Sequence, residues 1–73
     1  MTYTAEAFIK SPAFMEIATE DAIKVVAKAN GQTIAKTKEA FDMQVPSVVN
    51  RAAELVMKAA QHCANEANAG RLW

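Results

Sequence analysis

The chain has one cysteine, one histidine, two glycines and two prolines. A single cysteine excludes a disulfide within the chain. One histidine and one cysteine do not make a metal-ligand cluster, so no metal or other cofactor is expected. Excess charge is missing too: eight basic and eight acidic side chains cancel to a formal net charge of +0. Nothing therefore pulls the chain from a distance toward nucleic acid or an anionic membrane. No stretch approaches ~18 consecutive apolar residues, so no membrane span is expected. Residues 1–6 show no basic region followed by an apolar run, and no secretory signal is read there. The lone Cys63 suits a reducing compartment, and the expected location is cytoplasmic.

Few helix breakers and much alanine are what remain. Alanine is the commonest residue and has the best intrinsic helix propensity. Residues 1–73 are read as a single helical domain. A core in a chain this short rarely supplies more than ~3–5 kcal/mol. Without disulfide or metal, it must rely on close helix packing or on self-association.

Residues 1–10 read as an N-terminal arm or short helix, with Glu6 favourably near its start. Ser11-Pro12 opens a second helix: serine caps free amides, and proline at the first helical position loses no bond. Asn30-Gly31 supplies its stop. Its expected buried face is Phe14, Met15, Ala18, Ala22, Val25, Val26 and Ala29, with Ile17 and Ile23 outside. Thr19-Glu20-Asp21 is a second capping signal, where the helix could break and restart. Residues 23–36 also admit a hairpin around Asn30-Gly31. Their flanks, rich in Ala and Lys, favour helices. Residues 33–43 form a third helix with a thin apolar face, Ile34 and Phe41. Pro46 pushes Val45 toward extended geometry.

Residues 46–69 read as one long amphipathic helix ended by Gly70. Val49, Ala52, Val56, Ala59, Cys63 and Ala67 recur at spacings of three and four along one side. Val48, Ala53, Leu55, Met57, Ala60 and Ala64 widen that face. The fold expected is all-α: a small bundle of three to four helices with this long C-terminal helix central. So wide an apolar face needs more cover than one short helix offers, so a homodimer is expected. Val49, Ala52, Val56, Ala59, Cys63 and Trp73 are the candidate interface residues. Ile17, Ile23, Met57 and Trp73 are the apolar side chains that a monomer core explains least.

The candidate chemistry is sparse. His62 and Cys63 are adjacent, but neighbours on a helix point ~100° apart, so the imidazole does not activate the thiol. Glu16, Glu20 and Asp21 read as a solvated face, with Glu20 and Lys24 in the favourable four-residue order. Lys24, Lys28, Lys36 and Lys38 read as a solubilising face. No Gly-rich phosphate loop, zinc spacing or nucleophile elbow is present. The chain is not expected to be an enzyme.

One segment carries a sharper signal. Ala40 in one helix, Met43 and Val45 about a turn, and Pro46-Ser47 opening a helix with Val49 resemble a helix-turn-helix. Ser47, Asn50, Arg51, Glu54 and Lys58 would then line a recognition helix, with Asn and Arg suited to adenine and guanine. Gln44 stands where that motif expects glycine, Glu39 stands at a core-facing position, and the spacing from Ala40 to Val49 is one residue short.

The reading adopted is a non-enzymatic helical protein acting through protein–protein contacts, as adaptor, inhibitor or regulator, and self-associating. The alternative is a compact DNA-binding regulator using the corner from Phe41 to Arg51.

Overall fold

In a computed structural model, residues 2–71 are described. They form four helices: α1 (Ala5–Ile9), α2 (Pro12–Asn30), α3 (Ile34–Asp42) and α4 (Pro46–Asn68). No strand occurs among the described residues, so the hairpin around Asn30-Gly31 is excluded.

The helix starts are set locally. Thr4, Ser11 and Thr33 each accept a bond from the backbone N–H three residues on, at 3.2, 3.4 and 3.1 Å. Each satisfies one amide that the first helical turn leaves free. Val45 offers no side-chain cap to α4; Pro46 occupies the first helical position instead.

The stops of α2, α3 and α4 share one geometry. Gly31 and Gly70 adopt φ +64° and +74°, and Gln44 adopts φ +60°. In each case that residue's N–H bonds the carbonyl three residues back. The next N–H bonds the carbonyl five back: Gln32 to Ala27, Val45 to Ala40, Arg71 to Glu66. This is the Schellman arrangement, which satisfies the last carbonyls of a helix. At Gln44 it is made without glycine.

α4 packs against α2 and α1, and α3 lies mainly on α2. Tyr3 bonds Asn68 at the C-terminal end of α4, whereas Ile9 shares a hollow with Ala53 and Met57. α1 thus runs opposite to α4. The molecule is elongated, 40 × 19 × 17 Å with a radius of gyration of 13.3 Å. A globule of this length would have about 11 Å. α4 alone spans about 34 Å at 1.5 Å per residue.

The core is made of small residues. Ala18 and Ala22 of α2 meet Ala52 and Val56 of α4, flanked by Phe14, Met15, Phe41 and Leu55. Alanines let two backbones approach toward the short end of the usual ~8–10 Å range.

Burial departs from the sequence expectation at particular positions. Ile23 is buried, while Val25 and Ala29 are exposed. The reason is α3, which lies along that flank: Ile34 and Lys38 line one hollow with Glu20, Ile23 and Lys24. α2 does not break at Thr19; that side chain is half-buried over the core and caps nothing. On α4 the buried row is Val48, Ala52, Val56, Ala60, Ala64 and Ala67, while Val49, Ala59 and Cys63 are half-buried. Steps of four advance ~40° around a helix. The buried face therefore turns along α4, from α2 at its start toward α1 at its end.

Thr37 is buried on α3, between Ile34 and Phe41. Its hydroxyl donates to the Thr33 carbonyl at 2.9 Å, so a polar side chain sits inside at little penalty.

Candidate functional site

The most apolar hollow on the described surface is lined by residues of all four helices. Its volume is about 210 Å³. Met15 and Thr19 of α2 line it with Val49, Ala52 and Val56 of α4. Ile9 closes it from the end of α1 and Phe41 from near the end of α3. Ala53 and Met57 stand at its α4 side, and Met57 is 51% exposed.

The hollow follows from helix lengths. α1 has five residues and α3 has nine, against twenty-three in α4. Two helices so short leave part of the long one uncovered. Thr19 is the one lining side chain with a polar atom. The site can take apolar groups, and no titratable side chain lines it.

Three of the six expected interface residues, Val49, Ala52 and Val56, line this hollow. Ala52 and Val56 are also part of the chain's own core, at 1% and 6% exposure. Ala59 and Cys63 are half-buried, and Cys63 is a free thiol. Trp73 lies outside the described residues. The hollow's other walls, Ile9, Met15, Phe41 and Met57, were not assembled from the sequence. Met57 carries a signal as an apolar residue that a monomer core explains least, and Met15 and Phe41 as members of the apolar faces of their own helices.

The polar residues proposed to read DNA do not line this hollow. Ser47, Asn50, Arg51 and Lys58 are exposed on α4. Arg51 and Lys58 both pair with Glu54, at 3.2 and 3.6 Å. The hydrogen bond from Arg51, the Arg51 charge and then the Lys58 charge hold the Glu54 carboxyl below the usual carboxylate range. Glu39 is exposed, and Ala40 is half-buried.

The remaining charges are dispersed. Glu16, Glu20, Asp21, Lys24, Lys28, Lys36, Lys38 and His62 are exposed. Glu20 and Lys24 line the α2–α3 hollow, and no ion pair joins them among the described residues. No three His, Cys, Asp or Glu side chains gather as a metal site among the described residues. No described helix is long and apolar enough to cross a membrane.

At the end of α4, Arg71 grips Glu66 through two bonds, Nε to Oε2 at 2.6 Å and Nη2 to Oε1 at 3.2 Å. The bond from Arg71 holds the Glu66 carboxyl below its ordinary range.

The chain matches no protein-family model, no curated protein and no solved structure.

Proposed function

We propose that this protein is a non-enzymatic interaction module that works by protein contact and self-associates through the four-helix hollow. The observation that carries this reading is the hollow itself: an apolar surface across four helices, with Met57 half-exposed at its α4 side. Methionine adapts its shape to a partner at small cost. The net charge of +0 leaves little repulsion between copies.

Sedimentation at increasing concentration tests the reading. A concentration-dependent dimer that Met57→Lys abolishes, with helicity unchanged, is the expected outcome. A monomer at high micromolar concentration, in which Met57→Lys changes nothing, would remove it.

A second reading keeps DNA at the α3–α4 corner. What favours it is Gln44, whose φ of +60° is the left-handed turn for which the motif uses glycine. What weighs against it is Glu54, which occupies both Arg51 and Lys58. Binding to a duplex that falls steeply with salt and is lost in Arg51→Ala would restore it.

A further inference from the structure

We propose that residues 3–9 act as a releasable strap that opens about Lys10-Ser11 while α2, α3 and α4 stay folded. The regulatory consequence, a hollow that widens when Ile9 leaves it, rests on the docking reading above; the opening itself does not.

Four observations lead there. α1 is a five-residue helix with no buried residue. A helix this short has no stability of its own in water, so its order comes from what holds it. Beyond its far end, the Asn68 side chain bonds both backbone groups of Tyr3. Its near end is joined to α2 by two residues, Lys10 and Ser11. Ser11 is extended at ψ 116°, as the residue before a proline prefers, so α1 does not merge into α2. Phe8 leans on Phe14 with ring centroids 5.6 Å apart and sets the closed position.

The strap lies along α4 between Met57, level with Ile9, and Asn68, level with Tyr3. Ala60, Ala64 and Ala67, buried in that interval, would join the hollow as one longer apolar groove once the strap lifts. Local opening of this kind is expected where apolar burial is small and the backbone bonds are exposed.

Amide hydrogen exchange on the full chain, dilute enough to be monomeric, is the test. Lys10 and Ser11, whose N–H groups bond Glu6 and Phe8, report the strap; Val56 reports the core. The strap amides are expected to exchange at least ~100-fold faster than Val56, yet slower than an unfolded peptide. Asn68→Ala is expected to speed the strap amides roughly tenfold and leave Val56 unchanged, since two exposed bonds are lost from a site where alanine suits the helix. Four results would overturn the proposal: equal rates in strap and core, strap amides already at the unfolded rate, an equal acceleration of both in Asn68→Ala, or no acceleration of either. Because no partner is present, failure here is separate from failure of the docking reading.

Discussion

Asn68 treats Tyr3 as a strand would treat its neighbour. Its Oδ1 accepts from the Tyr3 N–H at 2.7 Å, and its Nδ2 donates to the Tyr3 carbonyl at 2.9 Å. One amide side chain thus satisfies both backbone polar groups of a residue that no helix contains. Sixty-five residues separate the two in sequence, so this contact ties the beginning of the described chain to its end.

The alanine row of α4 predicts intolerance to size. Ala60 is 0% exposed, with no room for further carbons. Ala60→Leu should cost about 1–3 kcal/mol through overpacking, read as a lower urea midpoint at unchanged slope. A loss under ~0.5 kcal/mol would mean that the helices separate freely there.

Gln44 predicts a gain. A side chain at φ +60° is strained in a way that glycine is not. Gln44→Gly should stabilise the chain by about 0.5–1 kcal/mol, seen as a rise in melting temperature of a few degrees. A fall would show that the Gln44 side chain contributes contacts that outweigh the backbone cost.

Thr37 predicts tolerance of an isostere. The Thr33 carbonyl is bonded by the Thr37 N–H at 3.0 Å as well as by its hydroxyl. Thr37→Val therefore leaves no orphaned group, and its effect on the urea midpoint should correspond to less than ~0.5 kcal/mol. Thr37→Asp, which buries a charge without a partner, should cost well over ~2 kcal/mol or prevent folding.

Glu66 predicts an acid-side dependence. Its carboxyl is held below the ordinary value, so in the folded chain it binds its proton at lower pH than in the unfolded one. The unfolded state then holds more protons, and stability rises with pH across the interval between the two values. The contribution is complete above the ordinary glutamate value and is lost as pH falls through the lowered one. Arg71→Ala should flatten the stability profile over that acidic interval and leave it unchanged near neutrality apart from a constant offset. The effect is small, because Arg71 is exposed.

How much was legible depended on the range of the interaction. Ser11-Pro12, Asn30-Gly31 and Pro46 announced helix ends because caps and φ restrictions act over one to four residues. The position of Ile23 could not be read that way. A wheel centred on α2 alone places it outside, and only the arrival of α3 covers it. Val49 lay on the expected stripe yet is half-buried, because the face of α4 turns from one partner helix to another. Thr37 shows no core signal in the sequence, because its polarity hides a self-satisfied hydroxyl.

The sequence by itself determined an all-α bundle of three to four helices, their order and most of their ends, since propensity and capping are local. It also determined that α4 would carry a broad apolar face. The tertiary structure decided which side chains that face buries, that α1 and α3 are too short to cover it, and that Ile9, Met15, Phe41 and Met57 meet around one hollow. Those outcomes depend on where one helix lies against another. Helix placement is set by packing across the whole chain, which no local pattern records.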